Sequence, residues 1–243
     1  MAVKFSNAFN LTFGSRLSSA LPRQRCCACG AAADQWVELC TGCRSDLVLV
    51  QNPCEGCGVP LPLAVRFCAE CQRRPGPLDG CRAPFVYAAP IDILVRRMKF
   101  DGDLRAAQLL GRLLSEQLNS CGGQVDFLVP VPLHRRRLIG RGYNQSLELA
   151  KQISAILQIP LLRSSCRRVR ATLPQTAVSA KERRRNVRGA FHASSNLGGL
   201  RLALVDDVMT SGQTAESVAK EMKRAGAASV CLWACARAGL LNA

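Results

Sequence analysis

"LRLALVDDVMTSGQTAESVAK", residues 200–220, changes character twice within one short stretch. Residues 200–208 are an almost unbroken apolar run, which predicts a strand covered on both faces, as in a parallel sheet. Asp206 and Asp207 stand side by side where that run gives out. Thr210, Ser211, Gly212, Gln213 and Thr214 then make a small, hydroxyl-rich turn. It leads into a helix whose apolar face is Ala215, Val218, Ala219 and Met222, with Gly226 as its stop. In an open α/β sheet, ligands collect at the carboxyl ends of the strands. A helix N-terminus behind such a turn offers unpaired N–H groups and partial positive charge to a phosphate. Two carboxylates beside a phosphate cradle would repel the ligand unless they accept hydrogen bonds from its hydroxyls, so the stretch reads as a sugar-phosphate site. A plainer account makes Asp207 a cap and Ser211 an ordinary N-cap, but it explains one residue at a time. No Gly-x4-Gly-Lys-Ser/Thr loop occurs.

Elements of the same class lie upstream. "FVYAA" (85–89) and "VDFLVPVP" (125–132) read as strands, and prolines turn the second out of the sheet. "DILVRRMKF" (92–100) reads as a helix. So does "DLRAAQLLGRLLSEQLNS" (103–120), with Leu104, Ala107, Gly111, Leu114 and Leu118 on one face. "NQSLELAKQISAILQ" (144–158) gives a stripe of Leu147, Ala150, Ile153 and Leu157. Alternating strands and helices predict an α/β domain with a mostly parallel sheet and flanking helices over residues 81–243.

Residues 1–80 are of another kind. Cys26/Cys29, Cys40/Cys43, Cys54/Cys57 and Cys68/Cys71 are four Cys-x-x-Cys pairs at a constant interval, with Gly30, Gly42, Gly56 and Gly58 beside them. Each knuckle offers two thiolates, and tetrahedral zinc takes two knuckles, so the spacing predicts a double zinc-ribbon domain with two closed, structural sites. Consecutive pairing of knuckles is the simplest assignment, and interleaved pairing stays open. A redox relay of vicinal thiols needs only one such motif. The segment has too few large apolar residues to fold on core packing alone, so the metal is expected to supply folding energy. Cys27, Cys81, Cys121, Cys166, Cys231 and Cys235 read as small hydrophobes.

A hydrophobic content of 48% excludes a disordered chain. The apolar runs are too short for a membrane helix and the N-terminus lacks a compact apolar block, so we expect a soluble cytoplasmic protein with no membrane partner. Of the net charge of +16, three quarters falls in residues 134–191, and that block is nearly all arginine, the planar fork suited to phosphate. It suits a polyanion or a phosphorylated small molecule, the plainer alternative being a solvated face.

"LVDDVMTSGQT" resembles the 5-phosphoribosyl-1-pyrophosphate (PRPP) loop of type I phosphoribosyltransferases. Together with the four knuckles, "PVPLHRRRLIGRGYNQS", "RATLPQT" and "ERRRNVRGAF", the chain from about Cys26 to Arg237 resembles the ComF family and its GntX-like members. The motif Arg141, Gly142, Tyr143, Asn144, Gln145 is part of that resemblance. It implies that Asp206 and Asp207 bind the ribose hydroxyls, that Thr210 to Thr214 hold the 5′-phosphate, and that Val131, Pro132 and Leu133 approach the pyrophosphate. Mg²⁺ would accompany PRPP, and Arg141, Arg183 or Arg188 would neutralise the leaving group. It further implies a role in competence or in use of external DNA. One expectation is therefore a Mg-dependent phosphoribosyltransferase. A second is a single-stranded DNA-binding module on an inactive phosphoribosyltransferase fold. A third is a zinc head that docks a DNA-uptake protein such as a helicase. Only Tyr143 and Phe191 are aromatic within the basic block, so strand binding there would be mainly electrostatic.

Overall fold

The computed structural model describes residues 25–33, 38–62, 65–118, 124–170, 189–193 and 196–240. Arg183, Arg188, Cys121 and most of "RATLPQT" and "ERRRNVRGAF" lie outside them. Two short helices, α1 (Thr41–Ser45) and α2 (Ala69–Arg73), sit in the cysteine-rich head. Then come β1 (Gly80–Arg82), β2 (Phe85–Val86), α3 (Ile91–Phe100), α4 (Leu104–Leu118), β3 (Phe127–Pro130), α5 (Arg135–Arg141) and α6 (Gln145–Leu157). They are followed by β4 (Cys166–Arg168), β5 (Phe191–Ala193), β6 (Arg201–Met209), α7 (Gln213–Arg224) and β7 (Ser229–Arg237).

The main sheet is parallel at every pairing. Its order is β1-β7-β6-β3, and β2 continues the β1 edge by pairing with the end of β7. A small antiparallel pair, β4–β5, stands apart. Side chains alternate across a strand, and the two faces of β6 and β7 are each buried under helices. Ala203, Val205, Trp233 and Cys235 pack with α3, α4 and α6, whereas Leu202, Leu204, Leu232 and Ala234 pack with α7 and the β4–β5 pair. Covering both faces is what makes 202–205 apolar without alternation, as the sequence implied.

Both outer edges are met by the chain's own backbone. The Val48 carbonyl accepts from the Val86 N–H at 2.9 Å, and Leu49 bridges Phe85. On the far side, the Leu128 N–H donates to the Pro160 carbonyl and the Leu162 N–H to the Leu128 carbonyl, each at 2.9 Å.

Some expectations shift. "FVYAA" pairs only over Phe85–Val86, because Pro90 already caps α3. Leu104, the first residue of α4, is exposed, while Ala107, Gly111, Leu114 and Leu118 are buried. In α6 the buried set is Gln145, Ser146, Leu149, Ala150 and Ile153, so Leu147 and Leu157 lie to one side of the true stripe. β7 was not anticipated at all. Its small residues and cysteines carry no period, yet it lies at the centre of the sheet. Gly111 marks the crossing of α4 and α6, where an added Cβ would sit 2.6 Å from Gln152 Cβ. Gly226, with φ of 97°, ends α7 as expected: its N–H reaches the Lys223 carbonyl and that of Ala227 the Met222 carbonyl. Among the described residues no helix is long and apolar enough to cross a membrane.

Candidate functional site

At the carboxyl ends of β3 and β6 a cavity of about 750 Å³ opens. Its wall includes Asp206, Asp207, Thr210 to Thr214, Val131 to Leu133 and Arg141, so one cleft gathers all the sequence-nominated ligand residues except Arg183 and Arg188, which fall outside the described chain.

The two carboxylates have different partners. Asp207 shares the parity of Ala203 and Val205 and turns toward α3 and α6. There its Oδ1 meets Lys99 Nζ at 2.7 Å and its Oδ2 accepts from Gln145 Nε2 at 3.2 Å. It is 5% exposed. Asp206 is half-buried; its Oδ1 accepts from Ser146 Oγ at 3.0 Å and from the Asp207 N–H at 2.9 Å. Burial, and after it the neighbouring Asp207 charge, pushes Asp206 up to about 7. Burial alone would lower Lys99, but Asp207 and then Asp206 hold its ammonium above the usual lysine range. The pair is thus a division of labour. Asp207 is committed to Lys99, and Asp206 is the carboxylate that faces the open cleft.

Past them, the turn closes on Gly212, not Ser211. Gly212 is the N-cap of α7 with φ of 74°, and as a glycine it brings no capping side chain. The left-handed backbone favours glycine there, and a Cβ, 2.7 Å from Met209 Cε, would have to push that methyl aside. The first turn of α7 lines the cavity, with Thr210 and Ser211 exposed beside it.

The motif at 141–145 turns out to organise the cleft. Gly142, left-handed, stops α5. Asn144 caps α6, accepting from the Ser146 N–H at 3.0 Å, and its Nδ2 donates to the Val131 carbonyl at 3.1 Å. One side chain therefore ties the loop after β3 to the helix whose first two residues, Gln145 and Ser146, hold the two aspartates. Arg141 reaches the mouth of the cavity, its guanidinium 6.0 Å from the centre of the exposed Phe100 ring. Lys99, Arg137, Arg168 and Phe100 also line the cavity and were not singled out from sequence. Lys99 had no local signal, since it reads as one of several cations on an amphipathic helix. Burial, and next the Arg141 charge, lowers Arg137, and burial likewise lowers Arg168.

In the head, the eight cysteines fall into two groups, Cys26/Cys29/Cys40/Cys43 and Cys54/Cys57/Cys68/Cys71, with all sulfurs of a group within 4.8 Å of one another. This settles the pairing as consecutive. Cys29 and Cys40 Sγ are 3.7 Å apart, as are Cys57 and Cys68 Sγ. Tetrahedral bonds of about 2.3 Å would space zinc-bound sulfurs about 3.8 Å apart, so both groups fit structural zinc. Burial would raise Cys26 and Cys54, but backbone N–H donors outweigh it and bring them down to about 6 and about 7. Of the other cysteines, Cys27, Cys81, Cys166 and Cys235 are buried and Cys231 is half-buried.

Residues 104–239 match the phosphoribosyl transferase domain. Competence protein F of Haemophilus influenzae is 32% identical over 208 residues, spanning 82% of this chain and 90% of that protein. The chain belongs to the ComF family. DNA utilization protein YhgH of Escherichia coli K12 is 32% identical over 216 residues, 87% of this ComF-family chain and 95% of its relative. Among solved structures, Bacillus subtilis glutamine PRPP amidotransferase, complexed with ADP and GMP, overlays at 22% identity and a TM-score of 0.37. That overlay spans 53% of this chain and 26% of the amidotransferase. The purine phosphoribosyltransferase of Pyrococcus horikoshii overlays at 21% identity and a TM-score of 0.33, over 51% of this chain and 70% of that enzyme. The family assignment, the parallel sheet and the paired cysteine groups together give a type I phosphoribosyltransferase-like domain behind a head whose two groups suit zinc ribbons.

Proposed function

We propose that the cleft binds PRPP or a related ribose phosphate, with residues 1–80 as a metal-stapled head and 81–243 as the ligand-binding domain. The observation that carries this is a half-buried Asp206 beside the glycine-led N-terminus of α7 in one cavity. Asp206 accepts from ribose hydroxyls, while Asp207, held by Lys99 and Gln145, keeps the strand end in register. The backbone of Thr210 to Thr214 takes the 5′-phosphate, and Val131 to Leu133 flank the pyrophosphate. Arg141, with Arg137 and Arg168 on the same wall, offers positive charge to the leaving group. Bound Mg²⁺ would neutralise pyrophosphate charge. Asp206 is the carboxylate suited to a hydrated ion, since Asp207 is already paired with a cation. Intact protein with PRPP and Mg²⁺ should melt at a higher temperature than without them, and Asp206→Asn with Asp207→Asn should remove the shift. No shift in the intact protein would sink this reading.

The relatives' names, competence and DNA utilization, support a role for this site in the handling of imported DNA, which we assign to the cytoplasm. A second reading, a single-stranded DNA-binding surface, is favoured by one arrangement. α5 carries exposed Arg135 and Arg136 and ends at Arg141, whose guanidinium stands over the ring of Phe100, which is 74% exposed and comes from outside the basic block. The cleft mouth thereby gains an aromatic face that counting along the basic segment omitted. Oligonucleotide affinity should fall steeply with added salt, and Phe100→Ala should weaken it further. Salt-independent binding would exclude this surface.

A further inference from the structure

One side chain joins the second cysteine group to the loop at the cleft. Arg237, the last residue of β7, donates from Nε to the Cys57 carbonyl at 2.9 Å and from Nη1 to the Met209 carbonyl at 3.2 Å. Nη1 also reaches the Ala238 carbonyl. Its stem runs beside the third knuckle, with Cδ 3.6 Å from where a Cβ on Gly58 would stand. Met209 and Ala238 both line the cavity, and the Ala238 N–H donates to the Met209 carbonyl at 2.9 Å. Met209 in turn packs on Gly212, the residue that sets the N-terminus of α7. The Arg237 carbonyl accepts from the N–H of Tyr87, another residue of the cavity wall. A planar guanidinium can bridge carbonyls on opposite sides in a fixed geometry that an ammonium does not reproduce.

We propose that Arg237 is a positioning residue that makes the order of the 209–214 loop depend on closure of the Cys54/Cys57/Cys68/Cys71 group. The Cys57 carbonyl is held in place only while its knuckle is closed, and metal is the means of closing it. When the knuckle opens, Arg237 loses one of its anchors and the Met209 carbonyl loses a fixed donor. The other cysteine group has a different neighbour. It reaches the domain where Arg97 donates to the Cys27 carbonyl while pairing with Asp103, away from Met209. The consequence for affinity rests on the ribose-phosphate reading above; the coupling itself does not.

Amide hydrogen exchange in the ligand-free, full-length protein tests it. Cys68→Ser, which breaks the second group, and Arg237→Met, which keeps the stem and removes the bridge, should each speed exchange over 209–214 by about tenfold, a coupling of ordinary size between contacting groups. The double variant should be no faster than either single one, Arg237→Lys should not restore the loop, and Cys29→Ser in the first group should leave 209–214 unchanged. Additive effects in the double variant, or equal effects of Cys29→Ser and Cys68→Ser, would overturn the proposal. If Cys68→Ser does not fold, chelation of the intact protein replaces it: loop exchange should rise in the wild type and not further in Arg237→Met. Ribose 5-phosphate titrated into the wild type then reports separately on the ligand reading, because exchange is measured without it.

Discussion

Asp206 is kept at a cost to the empty protein. A carboxyl whose proton is held more tightly in the folded chain than in the unfolded one stabilises the fold when protonated, and that contribution disappears as pH rises from the ordinary carboxylate range through about 7. Ligand-free protein should therefore be less stable at pH 8 than at pH 5 on account of this residue. Asp206→Asn, whose Oδ1 can still accept from Ser146 and from the Asp207 N–H, should gain roughly 1–3 kcal/mol at pH 8 and flatten the profile. Thermal melts of both forms across that range measure it, and the same variant should lose the PRPP-dependent shift. A variant that is less stable at pH 8 would mean that the site is not built around a destabilised carboxylate. Gly212→Ala should be damaged by its positive φ, costing about 1 kcal/mol in a denaturant midpoint measurement, while the Met209 methyl swings aside.

Among the elements, α6 does most to assemble the cleft, and it does so through its cap. Asn144→Ala should cost about 1 kcal/mol in stability for the lost cap and should also free the Val131 loop. Asn144→Asp restores an acceptor for the Ser146 N–H but cannot donate to the Val131 carbonyl. It should thus recover the melting temperature without recovering pyrophosphate-dependent affinity, which calorimetric titration with PRPP would show. The same helix illustrates what a sequence discloses. The β6 strand, the turn and α7 were legible because apolar run, acids, glycine and helical stripe follow one another within a short window. The register of α6 was not, since its buried face includes Gln145 and Ser146, polar residues buried for the sake of the aspartates. β7 escaped notice because a central strand buried on both faces shows no apolar–polar alternation, and its alanines and cysteines dilute the signal of Val230 and Trp233. Lys99 and Arg168 became visible only when folding carried them to the cavity from distant segments.

For the whole molecule, the cysteine-rich head is joined to the larger domain by shared packing. Cys26, Cys27 and Leu39 are buried in the same apolar cluster as Ile91, Leu94 and Leu110. The Cys81 N–H donates to the Glu55 carbonyl at 2.6 Å, and Asp79 pairs with Lys223. Elemental analysis should return two zinc ions per chain. Chelation should lower the melting temperature while leaving a single cooperative transition, because apolar surface of the larger domain is covered by the head. A calorimetric trace that splits into two transitions on chelation would mean the head folds separately.

The strips of backbone that flank Phe85–Val86 and Leu128 have a bearing on how copies of the protein behave when crowded. A ribbon that ends in bare amides and carbonyls invites a neighbour to lengthen it, the first step toward fibrous deposits. Here each margin is hemmed by the molecule's own thread. Self-association by extension of the main sheet is blocked at both borders, and loosening either hem should show itself first as turbidity on storage.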